Sequence, residues 1–119
     1  MKYVDGFVLP VPKKNLKAYQ KMSKNAGKIW KEYGALQYLE CTGDDMNLKM
    51  DNPFPKMMKL RPDEIVVFSW ILYKSKVHRD NVNAKVMKDP RLSKMMDPKS
   101  MPFDIKRMSY GGFKTIVEL

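Results

Sequence analysis

The feature that most constrains the fold is the run EIVVFSWILY at residues 64–73. Apolar residues follow one another there almost without interruption, and Ile, Val, Phe, Trp and Tyr favour extended chain. Successive side chains of a strand point to opposite faces, so a strand of this composition is apolar on both. Both faces of its sheet must therefore be covered.

Three further segments alternate between apolar and polar residues as half-buried strands do. The first is residues 2–11, and Pro10 and Pro12 are expected to end it because proline cannot donate to a ladder. The second is residues 35–41. The last is residues 106–119, where the pair Gly111-Gly112 suggests a bulge or a close backbone approach. One face of the first strand is expected to carry Tyr3, Asp5, Phe7 and Leu9.

Two amphipathic helices are expected between these strands. From residue 13 to residue 33 apolar residues recur at steps of three and four, and lysines fill the opposite face. Gly34 follows, where a left-handed capping residue is expected. Ser75 is a plausible N-cap for a second helix over residues 76–88, and a short helical turn is expected at residues 91–96.

The element order is therefore βαββαβ in a single domain over residues 1–119. Only residues 42–62 break the rhythm, as a long connection that could hold a short helix or an edge strand. The order predicts an α+β, ferredoxin-like fold, with a four-stranded antiparallel sheet and two helices on one face. The other face would be bare in a monomer, so we expect a homodimer that packs sheet against sheet.

Composition restricts the cellular location and the cofactors that we expect. No apolar run approaches the roughly 18 residues of a membrane helix, and Asp5 interrupts the N-terminus, which favours a cytoplasmic protein without a membrane partner. The single cysteine, Cys41, excludes an internal disulfide and is expected to be a small hydrophobe in the core. With one histidine a Cys/His zinc cluster cannot form, and we expect no cofactor, heme included.

The net charge of +10 raises the question of a nucleic-acid partner. The basic residues are 19 Lys and 4 Arg spread through the chain, whereas phosphate and base recognition favours arginine. A solvated lysine-rich surface is the favoured interpretation. The alternative is a phosphate-facing surface on the first helix, formed by Lys13, Lys14, Lys17, Lys21, Lys24, Lys28 and Lys31.

Three blocks of the sequence resemble a known family. They are KYVDGFV at residues 2–8, FSWILYKSKVHRDNVNAKVMKDPR at residues 68–91 and MPFDIKRMSYGGF at residues 101–113. They are similar to the bacterial YbaA-like proteins of unknown function, in the dimeric α/β-barrel superfamily. The resemblance implies the ferredoxin-like fold and the dimer. That superfamily spans heme enzymes, cofactor-free monooxygenases and lactone isomerases, so the fold selects no activity.

The first catalytic candidate is His78, the only side chain that ordinarily titrates near neutral pH. Asp80, two residues on, or another acid could orient its imidazole for proton transfer. The alternative is a histidine that packs or hydrogen-bonds near a helix N-terminus, where the positive helix end favours the neutral form.

The second candidate site joins the first and last strands. Asp5 would lie near Arg107 and Tyr110 if these strands pair, with Asp5 as a proton-transfer group and Arg107 holding an anionic or carbonyl oxygen. Aromatic walls would come from Tyr3, Trp70 and Tyr73. An ion pair between Asp5 and Arg107 that sets the strand register is the structural alternative.

The motifs GxGxxG, GxxxxGK[ST], GxSxG and HExxH are absent, which disfavours nucleotide hydrolysis and ordinary hydrolase chemistry. Residues 64–73 do not match the strand of an RNA-recognition domain. The favoured function is binding of a small apolar or aromatic molecule between each sheet and its helices, with or without cofactor-free chemistry. A nucleic-acid-associated protein and a structural or interaction module are the alternatives.

Overall fold

The computed structural model describes residues 1–47, 49 and 51–119. Its strands are β1 (Tyr3–Pro12), β2 (Gln37–Thr42), β3 (Glu64–Tyr73) and β4 (Ser109–Lys114). Its helices are α1 (Leu16–Glu32), α2 (Phe54–Met57), α3 (Lys76–Lys88) and α4 (Pro90–Met95). Short 3-10 turns at Lys13–Asn15 and Ile105–Arg107 lead into α1 and β4. The predicted βαββαβ order is confirmed, with α2 and α4 as short additions.

The four strands form one antiparallel sheet in the order β2-β3-β1-β4. Strand β1 therefore lies in the middle, paired along its whole length with β3 and over residues 3–8 with β4. The two long helices pack on the same side of this sheet. This is the ferredoxin-like arrangement that the sequence predicts.

The register divides the sheet into two faces, because residues paired across strands point to the same side. The inner face, toward the helices, carries Asp5, Phe7, Leu9, Tyr38, Glu40, Ser69, Ile71, Tyr110 and Gly112. The outer face carries Val4, Gly6, Val8, Leu39, Cys41, Phe68, Trp70, Leu72, Gly111 and Phe113. The alternation predicted for β1, with Asp5 and Phe7 on one side, is confirmed.

The core lies between the inner face and the helices. Ile29 of α1, Val82 and Val86 of α3 and Leu92 of α4 pack around Ile71 of β3. A second cluster toward the other end of β1 comprises Leu9, Val11, Tyr19 and Val67. Each fully buried aliphatic side chain contributes about 1.5–3 kcal/mol, so these positions attach the helical layer firmly to one face.

Helix boundaries follow the predicted capping residues. Gly34 has φ of 115°, the left-handed conformation that ends α1 most easily with glycine. The Ser75 hydroxyl accepts a hydrogen bond of 3.1 Å from the His78 backbone N–H and caps α3. Asp89 then ends α3 and caps α4 by accepting from the Arg91 N–H at 2.8 Å.

Several predicted strand boundaries are wrong for reasons that the pairing makes clear. Strand β1 runs through Pro10, because β4 stops pairing at Val8 and leaves an edge where a missing N–H is tolerated. Strand β4 covers only six of the residues predicted at 106–119. Its start is delayed by the 3-10 turn, and it ends at Lys114, the partner of the first β1 residue.

The connection at residues 42–62 contains the predicted short helix, α2, and no edge strand among its described residues. Leu48 and Met50 lie outside the described residues. The prediction that Cys41 is buried in the core is wrong, since its side chain is exposed on the outer face. No described helix is long and apolar enough to cross a membrane.

Candidate functional site

A cavity of about 610 Å³ lies between the inner face and the helices. Its apolar and aromatic lining comprises Phe7, Leu9, Tyr19, Met22, Ala26, Trp30, Tyr38, Ile71, Met87, Leu92, Met96, Phe103, Met108 and Tyr110. Met87, Met96 and Tyr110 are exposed, so the cavity opens to solvent at these residues. Its size and predominantly apolar lining are typical of small-molecule sites.

The first polar group in this cavity is the carboxyl of Glu40 on β2. It accepts hydrogen bonds from the Tyr19 hydroxyl at 2.8 Å and from the Tyr38 hydroxyl at 2.7 Å. Burial raises the pKa of Glu40 above its ordinary value and outweighs these hydrogen bonds, which lower it. Burial and the neighbouring carboxyl raise the pKa of both tyrosines, so they remain hydrogen-bond donors at neutral pH.

The second polar group is Asp5 of β1, which is buried and paired with Arg79 of α3. The Arg79 guanidinium donates to the Asp5 carboxylate at 2.8 Å and lies 4.8 Å over the Tyr3 ring. Burial raises the pKa of Asp5, although the positive charge of Arg79 opposes the shift. This pair therefore joins the first strand to the second long helix inside the cavity wall.

Asn83, one turn after Arg79 on α3, connects this pair to the surrounding aromatic residues. Its side-chain oxygen accepts from the Trp30 indole N–H at 3.0 Å and from the Tyr73 hydroxyl at 3.1 Å. Its amide nitrogen lies 3.5 Å from the Asp5 carboxylate. The i, i+4 spacing of Arg79 and Asn83 places both on the helix face that covers the sheet.

The two predicted catalytic residues lie in different environments. Asp5 lines the cavity, whereas His78 is not among its lining residues. The Nδ1 atom of His78 accepts from the Lys74 N–H at 3.0 Å, and its ring stands edge-on to the Tyr73 ring. Asp80 accepts from Lys76 and Arg79 instead of orienting the imidazole. The structure thus does not bring His78 together with Asp5.

The predicted pairing of Asp5 with Arg107 is wrong. Arg107 lies in the 3-10 turn before β4 rather than on the strand, and its guanidinium pairs with the buried carboxylate of Glu64. It also donates to the backbone oxygen of Lys59 at 3.1 Å, which holds the preceding connection in place. Because Glu64 begins β3 opposite Pro12, this pair lies at the far end of β1 from Asp5.

The predicted aromatic walls are divided between the two faces. Trp70 is paired with Gly6 on the outer face, so it cannot line the cavity with Asp5, and that part of the prediction is wrong. Tyr73 is fully buried beside the cavity through its bond to Asn83. Tyr110 lies on the inner face and stacks on Phe7 with ring centroids 6.3 Å apart.

Sequence reasoning missed Glu40, Arg79 and Asn83. The alternation of β2 contained the signal for Glu40, since it places this carboxyl on the same face as Tyr38 and Ile71. No comparable signal singled out the two α3 residues, because a charged and an amide side chain on a helix are ordinarily solvated. Among the described residues no group of three or more His, Cys, Asp or Glu is suited to hold a metal ion.

Comparison with known proteins supports the predicted family. A model of the family described as Protein of unknown function (DUF1428) matches residues 2–105. The chain is 47% identical over 118 residues to Uncharacterized protein YbaA of Escherichia coli strain K12, with 99% of each chain covered. The protein of the same name from Shigella flexneri matches with the same identity and coverage. The resemblance inferred from three sequence blocks is confirmed.

Solved structures support the predicted fold. A dimeric ferredoxin-like protein from an uncultured marine organism is similar with a TM-score of 0.60 at 9% identity, covering 99% of this chain and 98% of that one. An uncharacterized NIPSNAP domain protein from Burkholderia xenovorans has a TM-score of 0.57 at 12% identity, covering 95% and 93%. At these identities the likeness shows the fold alone, and the ferredoxin-like prediction is confirmed.

Proposed function

Because this chain belongs to the DUF1428 family of proteins of unknown function, we propose a function from its own geometry: it binds a small, mainly apolar or aromatic molecule in the inner cavity. The observation that supports this proposal most directly is the cavity itself. Protein interiors are usually filled by side chains, so an open space of this size between the sheet and the helices is unusual. Its walls are apolar, and a few polar groups converge on it from the strands and α3. That combination is characteristic of ligand sites.

Tryptophan fluorescence offers a direct test, because the two tryptophans lie on different faces. Trp30 lines the cavity and Trp70 lies on the outer face, so a Trp70→Phe variant reports on the cavity through Trp30 alone. Titration with the neutral probe N-phenyl-1-naphthylamine is expected to quench Trp30 emission saturably. A further Ala26→Phe change, which adds a ring to the cavity, should weaken binding. An unchanged Trp30 signal in the Trp70→Phe variant would contradict the proposal.

We also propose that two copies of the chain pack outer face against outer face. Phe68, Trp70 and Phe113 are 43%, 39% and 61% exposed there, and their paired neighbours include Val4, Val8 and Leu39. A continuous apolar surface of this kind marks an interface in most proteins. A dimeric ferredoxin-like protein of similar fold is consistent with this assembly. Sedimentation equilibrium is expected to give a dimer at micromolar concentration, and a stable monomer would disprove it.

Of the two predicted proton-transfer groups, Asp5 is better placed than His78 for catalysis in this cavity. Asp5 lies in the cavity wall, and burial raises its pKa, which is a property that proton-transfer residues share. His78 would have to act from the N-terminus of α3, outside the cavity lining. A folded His78→Ala variant that keeps full ligand binding would remove it from the site, whereas a loss of binding would retain it.

The lysines of α1 favour a second candidate function, binding of nucleic acid. Lys17, Lys21, Lys24, Lys28 and Lys31 are exposed along one stripe of the helix, and none forms an ion pair with a carboxylate among the described residues. Such a stripe could follow a phosphate backbone. Binding to single-stranded RNA that falls steeply with salt would favour this candidate; no retardation at low salt would eliminate it.

A further inference from the structure

We infer that the cavity selects ligands that carry a protonated amine on an apolar or aromatic body, and that Glu40 is the residue that binds the amine. This inference rests on the proposed function, since it names the chemical class of the molecule that occupies the same cavity. Three properties of the lining support it. The groups near Glu40 can still accept hydrogen bonds, the negative charge of Glu40 has no ion-pair partner among the described residues, and aromatic side chains line the cavity.

The hydroxyl protons nearest Glu40 are already used. Tyr19 and Tyr38 both donate to its carboxyl, at 2.8 and 2.7 Å. Each carboxylate oxygen and each phenolic oxygen keeps a lone pair, but the cluster has no further proton to offer when Glu40 is ionised. What it presents to a ligand is a set of acceptors. An ammonium group, with three donors and no acceptor, is the complementary partner.

The indole and guanidinium donors of the lining are also engaged within the protein. The Trp30 indole N–H is bound to Asn83, and the Arg79 guanidinium is bound to Asp5. An anionic ligand would have to break the Asp5 pair to reach Arg79, which leaves a buried carboxylate without its partner. Recognition of a carboxylate or phosphate is therefore the least favourable use of this lining.

The charge of the lining points the same way. The carboxyl and guanidinium side chains of the lining are those of Asp5, Glu40 and Arg79. Asp5 and Arg79 form an ion pair, so their charges neutralise each other. No ion pair of the described residues includes Glu40. A protein of net charge +10 thus has a cavity whose uncompensated charge is negative.

The aromatic residues of the cavity add attraction for a cation. Six rings line it, those of Phe7, Tyr19, Trp30, Tyr38, Phe103 and Tyr110. A cation over such a ring gains about 0.5–2 kcal/mol, more as water is excluded. Lys24, Lys28 and Lys31 line a separate surface groove that Tyr38 and Glu40 also border, and none of these lysines is among the residues that line the cavity.

Three probes with one carbon skeleton test the inference: 3-phenylpropylamine, 3-phenylpropan-1-ol and 3-phenylpropanoate. Dissociation constants would be measured by Trp30 fluorescence in the Trp70→Phe variant at neutral pH. We expect the amine to bind about tenfold more tightly than the alcohol, as for one charge-assisted hydrogen bond of about 1.4 kcal/mol, and the carboxylate to bind most weakly. Glu40→Gln should remove the advantage of the amine, so that the amine and the alcohol bind with similar dissociation constants.

Glu118→Gln is the matched control, since it makes the same carboxyl-to-amide change in an exposed pair with Lys2. It should keep the preference for the amine. Carbon-13 NMR of the Glu40 carboxyl in the Trp70→Phe variant gives a second measurement that does not depend on the folding of Glu40→Gln, and the amine should shift this resonance. An alcohol that binds as tightly as the amine, or an amine that leaves the resonance unmoved, overturns the inference. If no probe binds, neutral ones included, the proposed function falls with it.

Discussion

The two faces of the sheet are built from alternate residues of the same strands, yet they differ in chemistry. The inner face combines apolar side chains with two carboxyl groups, Asp5 and Glu40, each held by hydrogen bonds. The outer face around Trp70 is apolar and without acidic side chains along its paired centre. A buried carboxyl group costs free energy unless it has partners, so both carboxyl groups of the inner face need their hydrogen bonds, whereas an apolar face can be buried without them.

The largest expected effect comes from placing a charge on the outer face. Trp70→Lys puts an ammonium group at the centre of the proposed dimer interface, where no described carboxylate faces it. Burial of an unpaired charge costs several kcal/mol, so we expect the dissociation constant of the dimer to rise by at least about 100-fold. Sedimentation velocity over a range of concentrations measures this change.

The control for this change is Val77→Lys, which adds the same charge at an apolar α3 residue that is 69% exposed and belongs to neither face. Its dimer should be as stable as that of the unmodified chain. Equal dissociation of both variants would mean that added charge, and not the outer face, controls assembly.

The next effect tests the ion pair of the inner face. Arg79→Ala leaves Asp5 buried without its cation, and we expect a loss of about 2–3 kcal/mol in the free energy of unfolding. This is below the cost for a fully buried pair because the Arg79 side chain is 20% exposed. Urea denaturation at one protein concentration measures it. Lys2→Ala, which breaks the exposed pair with Glu118, should cost at most about 1 kcal/mol, and equal losses would refute the distinction.

Two adjacent glycines compare the faces within a single strand. A Cβ atom at Gly112, on the inner face, would lie 2.8 and 2.9 Å from Tyr3 ring carbons, whereas at Gly111 the nearest contact is 3.9 Å. Gly112→Ala is therefore expected to destabilise the monomer fold by about 1–2 kcal/mol. Gly111→Ala should be neutral or slightly stabilising in the same thermal unfolding measurement. A larger loss at Gly111 would reverse the prediction.

The smallest effect concerns the hydrogen bonds by which Asp89 joins Tyr33 at the end of α1 to Arg91 of α4, referred to below as the clamp. Arg91 and Tyr33 hydrogen-bond to Asp89 and lower the pKa of its carboxyl below the ordinary value of 3.8. Ionised Asp89 therefore stabilises the fold fully above about pH 4, and this contribution is lost as the pH falls further. The difference in melting temperature between the unmodified chain and Asp89→Asn should shrink over that acidic range.

Asp104→Asn is the matched control for the carboxyl-to-amide change. Asp104 caps a 3-10 turn with one backbone hydrogen bond of 3.0 Å to Lys106 and forms no ion pair among the described residues. Asp104→Asn should lower the melting temperature at neutral pH by less than Asp89→Asn does, because it removes one hydrogen bond and no ion pair. A constant difference for Asp89→Asn would show that its charge contributes nothing to the clamp.

The fold was predictable because its signals are local. Each signal depends on a few neighbouring residues: the apolar residues on both faces of β3, the spacing of apolar residues in α1, and the caps at Gly34 and Ser75. Together they leave few possible topologies. Strand ends were less predictable, because they depend on where the partner strand stops. Pro10 shows this, since its tolerance is decided by the end of β4 and not by its own neighbours.

The site was predictable only where one strand decides it. Alternation grouped Asp5 with Phe7 and Leu9 on one face of β1, and all three line the cavity. The partner of Asp5 was not, because several arginines could have satisfied it and only the packing of α3 on the sheet selects Arg79. Trp70 was misplaced for a related reason. In a strand that is apolar on both faces, composition does not say which side chain faces the helices.

The central place of β1 also has a consequence for the order in which the chain can fold. Tyr3 pairs with Tyr73 on one side and with Lys114 on the other, so β1 is synthesised before both of its partner strands and completes its hydrogen bonds only after both have emerged. Such distant pairing slows folding, because chain entropy is lost before the contacts are gained. Until β3 emerges, the backbone N–H and C=O groups along the edges of β1 are unpaired and its apolar side chains are uncovered. The lysine-rich α1 that follows it is well suited to keep that nascent segment dispersed in water.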